Sequence, residues 1–162
     1  MDYKEVELHG RKIRYFNEEH IETEFRNKKG DWRKVSIYKC VNYLVFKCGD
    51  KHIKIHRLVF WINNPSWNIY DSSIDNSIDH FDGNTFNNKI DNLSCVTNQE
   101  NCWNKTKAKG YCWHKERQKW DARITVNSKV IHLGLFEKEE DARDAYIKAK
   151  LIYHVIQPKS FV

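Results

Sequence analysis

Asp79 and His80 stand at the head of the string I-D-H-F-D-G-N-T-F-N-N-K-I-D-N-L-S-C-V-T-N-Q-E-N, where a carboxylate, an imidazole and a spaced series of asparagines crowd together. A carboxylate and a neutral side-chain oxygen can hold a hard divalent cation, and an imidazole beside them can take a proton from water near neutral pH. Together these are the parts for metal-assisted hydrolysis of a phosphodiester.

Such groups act only if local structure holds them. Residues 77–79 form a short extended run, 82–91 a loop rich in Gly and Asn, and 93–96 a second strand. Thr97 opens T-N-Q-E, a capping box in which its hydroxyl and the Glu100 carboxylate satisfy orphan amides at a helix start. Asn101 then lies one turn in, with Asn104 three residues later on the same face. Upstream, H-R-L-V-F-W-I at 56–62 places Leu58, Val59 and Ile62 at helical spacing until Asn63, Asn64 and Pro65 stop it, and 63–77 reads as loop.

The two flanks are β-rich. From Val6 to Ile55, short apolar and aromatic runs (V-E-L, K-I-R-Y, K-V-S-I-Y, Y-L-V-F, H-I-K-I) are punctuated at Gly10, at 27–30 and at Gly49-Asp50, as antiparallel hairpins would be. After residue 109, Trp120, Ala122, Ile124 and Val126 alternate with Asp121, Arg123, Thr125 and Asn127. Asn127-Ser128 then turns the chain into K-V-I-H-L-G, which predicts a three-stranded meander. Residues 139–153 follow as an amphipathic helix with Ala142, Ala145, Tyr146, Ala149 and Tyr153 on one stripe.

Charge follows this division. The whole chain carries +6 over 162 residues, with nets of +4 over 1–55, −4 over 56–104 and +6 over 105–162. A basic, acidic, basic order suits two arms that hold phosphates around a centre that gathers a cation. Within the last segment, 105–135 holds 8 Lys/Arg against 2 acids, whereas 136–162 holds 5 of each, so the positive potential belongs to the strands. The five cysteines (Cys40, Cys48, Cys95, Cys102, Cys112) include no C-x-x-C pair. That argues against a disulfide framework or a structural zinc and for reduced thiols in an intracellular protein. No window approaches 18 consecutive apolar residues and the N-terminus is charged, so neither a membrane span nor a secretory signal is expected.

The pattern H-R-L-V, then D-H-x-D-G-N-x-x-N-N-x-x-x-N-L-x-x-x-T-x-x-x-N-x-x-N, over 56–104, resembles the HNH nucleases, in the branch that includes phage and intron-encoded homing endonucleases. That resemblance implies a ββα-metal core with His80 as general base, Asp79 and Asn101 as metal ligands, and Asn92 as a catalytic-site residue that orients loop and histidine. It implies Mg²⁺ or Mn²⁺, an ion on a non-bridging phosphate oxygen and the leaving 3′ oxygen, and 5′-phosphate and 3′-hydroxyl products. Asp82 and its neighbours shape the loop, and His56 is either structural or a phosphate contact.

The segment G-Y-C-W-H-K-E-R-Q-K-W-D-A-R-I-T-V, then K-V-I-H-L-G-L-F, then the A-x-x-A-Y helix, resembles the Apetala or ethylene-response-factor type DNA-binding domain. It implies a sheet laid in the major groove, with DNA contacts at Trp113, His114, Lys115, Arg117, Lys119, Arg123, Thr125, Lys129 and His132. Lys105, Lys107 and Lys109 would either track phosphates or serve as a solvated linker, and Trp120 reads equally as core or contact. Lys138 replaces the usual helix-capping threonine, leaving Glu139 and Glu140 to meet the helix dipole.

The expected architecture is therefore α+β. It comprises a β-rich region at 1–55, an HNH ββα-metal core at 56–108, and a three-stranded antiparallel sheet packed on one helix at 109–162. The expected partner is double-stranded DNA and the expected activity is site-specific endonuclease cleavage. A monomer would nick and a homodimer would cut both strands. A DNA-binding regulator with a vestigial nuclease module, and a restriction enzyme, are the alternatives.

Overall fold

The computed structural model describes all residues except 1, 74–75, 105–108, 157–158 and 160–162. The chain combines antiparallel sheets with a few helices, as an α+β fold does, and divides into two compact units, residues 1–97 with 158–162, and residues 98–157.

In the first unit, β1 (Lys4–Leu8), β2 (Arg11–Asn17), β3 (His20–Phe25) and β4 (Lys28–Lys34) form one meander. A second meander comprises β5 (Ile37–Cys40), β6 (Tyr43–Cys48) and β7 (Lys51–Lys54). The turns expected at Gly10 and Gly49-Asp50 are present, with both glycines at positive φ. The turn expected over 27–30 is tighter: Phe25 pairs with Lys28, so Arg26-Asn27 makes the turn and Gly30 lies within β4. The Gly30 amide donates to Glu24 Oε1 at 2.8 Å, which holds the glycine in the strand where its φ of 92° would otherwise mark a turn.

Helix α1 (Ile55–Asn63) is apolar nearly all round, so most of it is buried: Ile55, His56, Leu58, Val59, Phe60 and Ile62 lie in the interior. The core around it runs from Leu8, Ile13 and Ile21 through Phe46 and Trp67 to Ile78, Leu93 and Cys95, so both sheets and the centre of the chain share one interior instead of closing at residue 55. Arg57 is the charged residue of the helix. Its guanidinium donates to the carbonyls of Ile69 (2.8 Å), Asp71 (2.7 Å) and Asn76 (3.3 Å) and lies 4.6 Å over the Trp67 ring. Trp67 in turn donates to Asn76 Oδ1, and Asn76 Nδ2 donates to the carbonyls of Asn68 and Asp71. The loop that delivers the chain to β8 (Ser77–His80) is thereby fixed by buried polar contacts. Across from β8, a single 3-10 turn (Ile90–Asn92) leads into β9 (Leu93–Val96), and the two strands pair antiparallel with His80 opposite Leu93.

The second unit contains α2 (Asn98–Trp103), the sheet of β10 (Tyr111–His114), β11 (Lys119–Val126) and β12 (Lys129–Phe136), and α3 (Glu139–Tyr153). The β11–β12 turn is Asn127-Ser128, both at positive φ, as a type I′ hairpin requires. Helix α3 packs on the sheet through Ala142, Tyr146 and Ala149 against Ile124. The expected stripe ends a turn early, because Tyr153 is 42% exposed beyond the edge of the sheet, next to exposed Leu151 and Ile152. Asp121 also departs from the alternation. It should face solvent, but it is 2% exposed, because Arg123 and His132 close over it beside a register shift at Ala122/Arg123.

Gly110 is where α3 and the strand entry touch. Its carbonyl accepts the Arg123 amide at 2.7 Å, and a Cβ there would sit 2.0 Å from Tyr146 Cε2 and 2.6 Å from the Arg123 carbonyl oxygen. Gly110→Ala is expected to destabilise the second unit by about 1–3 kcal/mol through overpacking. Denaturant unfolding followed by Trp fluorescence measures it; an unchanged midpoint contradicts the packing described.

Candidate functional site

The end of β8 is where the chemistry-bearing residues of the first unit meet. Asp79 is 8% exposed and His80 3%. The Asp79 carboxylate turns back on the strand, its Oδ1 accepting the His80 amide at 2.9 Å. His80 Nε2 lies 3.2 Å from Asn88 Oδ1, while Asn88 Nδ2 donates to the Phe86 carbonyl at 3.3 Å. That second bond sets the amide orientation, so Oδ1, which can only accept, faces the ring. With that oxygen facing Nε2, the contact suits the tautomer protonated at Nε2, in which Nδ1 carries the lone pair.

Asn92 ties the loop to its base. Its Oδ1 accepts the Asp82 amide at 3.0 Å, and its Nδ2 donates to Asp82 Oδ1 at 2.9 Å and to the Asn87 carbonyl at 2.8 Å. Its own carbonyl accepts from Phe81 at 3.0 Å. Asp82 also accepts from Asn87 Nδ2 (2.7 Å) and from the Asn84 amide (2.8 Å). These bonds, that from Asn87 foremost, hold its carboxyl below the usual carboxylate range. Gly83, at φ 69°, closes the turn with its amide on the His80 carbonyl. The tip of the loop is secured by the Thr85 hydroxyl on the Asn42 carbonyl and by Lys39 over the Phe86 ring.

Two residues prominent in this geometry were weak signals in the sequence. Asn88, 2% exposed, was one asparagine among many, and only its burial against His80 distinguishes it. His56, 4% exposed, stands on α1 with its ring 5.2 Å from that of His80 and nearly perpendicular to it, and 4.9 Å from Tyr43. Burial, then the charges of His80, Lys54 and Arg57, pushes its pKa down to about 3. His56 is thus buried and held neutral, and its Nδ1 has no hydrogen-bond partner.

Asn101 is half-buried on α2, in the second unit. Lys105 and Lys107 lie outside the described residues. Lys109, Trp113, Lys115, Arg117, Arg123, Thr125, Lys129 and His132 are exposed in the second unit, and His114 and Lys119 half-buried. Lys109, Trp113, His114, Lys115, Arg123 and Thr125 line one open concavity of about 630 Å³. Trp120 is half-buried, with Trp113 edge-on at 5.6 Å. Lys119 pairs with Glu137 at 3.2 Å and Lys109 with Glu139 at 3.9 Å.

Among the described residues no group of three or more His, Cys, Asp or Glu is arranged to hold a metal. Also among the described residues, no helix is long and apolar enough to cross a membrane.

The lowered pKa of His56 has a sign. Between about pH 3 and the unfolded value of 6.5, the unfolded chain binds this proton and the folded chain does not, so acidification through that window favours unfolding. Thermal melting is expected to fall as pH drops from 7 to 4, with a His56 share on the order of 3 kcal/mol. His56→Leu should flatten the slope. An identical slope in the variant contradicts the assignment.

Comparison with known proteins fits this location. Residues 54–102 match the family model described as HNH endonuclease. Protein 3.8 of Escherichia phage T7 is 42% identical over 59 residues, covering 32% of this chain and 49% of the phage protein, so the chain spans about half the length of that relative. No solved structure matches. The segment holding Asp79, His80, Asn88 and Asn92 is the one that matches the HNH endonuclease family model.

Proposed function

We propose that the protein is a site-specific DNA endonuclease of the homing type that hydrolyses phosphodiester bonds with one divalent ion and a histidine base. The observation that carries this reading is the place of His80: it lies inside the HNH match, next to the Asp79 carboxylate, with its Nε2 3.2 Å from Asn88 Oδ1.

In this scheme His80 Nδ1 takes the proton from a water that attacks phosphorus in line with the leaving 3′ oxygen. Asn88 keeps the ring in the required tautomer and angle. Asn92 acts on the loop and does no bond-making. Asp79 and, from its place in the motif, Asn101 hold the ion, Mg²⁺ or Mn²⁺. When bound, that ion supplies Lewis-acid stabilisation of the charge that builds on the leaving oxygen. The products are 5′-phosphate and 3′-hydroxyl ends.

Target selection belongs, in the same proposal, to the sheet of the second unit as an Apetala/ethylene-response-factor type module. Its exposed cations and Trp113 supply the DNA contacts, with Lys105 and Lys107 tracking phosphates between 56–104 and the sheet. A monomer nicks one strand and a homodimer cuts both.

The test is cleavage of supercoiled plasmid and of a random-site duplex library. Cleavage should require Mg²⁺ or Mn²⁺ and cease with chelator. His80→Ala should lower the rate by about 10²- to 10⁴-fold, and Asn88→Ala by up to about 10²-fold through misplacement of the ring. Metal-independent binding with no cleavage at any pH from 6 to 9 would make the protein a DNA-binding regulator instead. Cuts at many short sites would make it a restriction enzyme.

A further inference from the structure

Among the described residues only two carboxylates are buried, Asp79 and Asp121. Asp121 lies on the central strand β11 and lines a concavity with Lys109, Lys115, Arg123, Tyr111 and Trp113, and with Glu116 as its other acid. Arg123 Nε donates to Asp121 Oδ2 at 2.9 Å and Arg123 Nη2 donates to the same oxygen. His132 Nε2 lies 3.0 Å from the other oxygen. Arg123 and His132 are register partners across β11 and β12, and both side chains remain about half exposed. The carboxylate is therefore covered by Arg123 and His132, with Oδ2 hydrogen-bonded and the buried Oδ1 without a hydrogen-bond partner, and Arg123 keeps the group below the usual carboxylate range.

The geometry has a consequence for recognition. A guanidinium is a rigid fork of five N–H donors. Asp121 occupies the Nε/Nη2 edge, which leaves the Nη1/Nη2 edge as two parallel donors in a fixed plane. Pairing with Asp121 also cancels most of the charge, so attraction to a phosphate is weakened while the directional donor pair is retained. What such a group suits is a neutral pair of acceptors at matching spacing, and guanine presents O6 and N7 in that way at the major-groove edge.

We propose that Asp121 is a positioning residue that holds Arg123 to read a guanine in duplex DNA, with His132 completing the clamp. The inference rests on the reading of this sheet as a DNA-binding face. A phosphodiester is the other source of paired acceptors, and the two make different demands. A guanine contact acts at one base position, whereas a phosphate contact acts on all sequences and on salt dependence.

The test uses the full-length protein and a randomised duplex library, selected in chelating buffer so that bound sites are not cut, followed by affinity measurements across salt. The wild type should select sites with one fixed guanine. Asp121→Asn and Arg123→Lys should each lose about tenfold or more of the discrimination at that position, with preferences elsewhere intact. Arg123→Lys keeps the charge and is exposed, so it reads the proposal even if Asp121→Asn unfolds. An unchanged base profile in Arg123→Lys overturns it. So does a uniform loss across sequences in Arg123→Ala with the salt slope reduced by about one, which assigns Arg123 to a phosphate, and so does binding with no selected base. Mg²⁺-dependent plasmid cleavage by the same preparations separates the two proposals: cleavage with an unaltered base profile sinks only this one, and base-specific binding without cleavage sinks only the nuclease.

Discussion

A hairpin of two four-residue strands cannot by itself hold a polar loop in one conformation, yet His80 is useful only if the loop after it is fixed. The side-chain amide of Asn92 supplies that constraint. It closes the loop onto its own start, taking the Asp82 amide and donating to the Asp82 carboxylate and the Asn87 carbonyl. Asn88, one residue beyond the second of these contacts, is thereby delivered to His80 Nε2. Asp82 is consumed in the process, since bonds from Asn84, Asn87 and Asn92 occupy its acceptors. A cation at Asp82 would have to compete with the bonds that shape the loop.

Below the hairpin the same logic is repeated at the level of packing. Helix α1 anchors the first unit through its apolar faces, and Arg57 converts that anchor into control of the loop before β8 by holding three backbone carbonyls. Buried carbonyls left without donors would each cost about 1–3 kcal/mol. The Arg57, Trp67 and Asn76 cluster answers that demand, and it fixes the entry to Asp79 as the Asn92 cluster fixes the exit from His80.

Elements with a strong period or a defined stop were legible in the sequence. Helix α1 follows from the spacing of Leu58, Val59 and Ile62 and the asparagines after it, α3 from its alanines, and the β11–β12 turn from Asn127-Ser128 between alternating strands. Strand β4 was hidden, because K-K-G-D-W-R-K is largely solvent-exposed and carries no apolar alternation. Gly30 reads as punctuation until Glu24 is seen to bond it inside the strand. At the site, residue types announced the chemistry, but burial did not. Nothing in the string separates Asn88 from Asn84 or Asn87, and nothing in W-D-A-R-I announces that Asp121 is covered by its neighbours, because both facts depend on contacts across the fold.

The two units solve the burial of an ionisable group in opposite ways. His56 is kept neutral, since desolvation with no partner on Nδ1 disfavours its charged form, whereas Asp121 is kept charged by Arg123 and His132. Acid undoes both, at different points. The His56 penalty begins as pH falls through the unfolded value of 6.5, where the unfolded chain starts to gain a proton that the folded one refuses. The Asp121 contribution persists until pH falls below the unfolded carboxylate value of 3.8 and is lost through its lower folded value. The first unit is therefore expected to weaken first on acidification while the second stays folded. Hydrogen exchange at pH 5 against pH 7, corrected for the intrinsic rate at each pH, would show this as lost protection in α1 and β8 with protection in β11 and β12 unchanged; equal loss of protection in both units would contradict it.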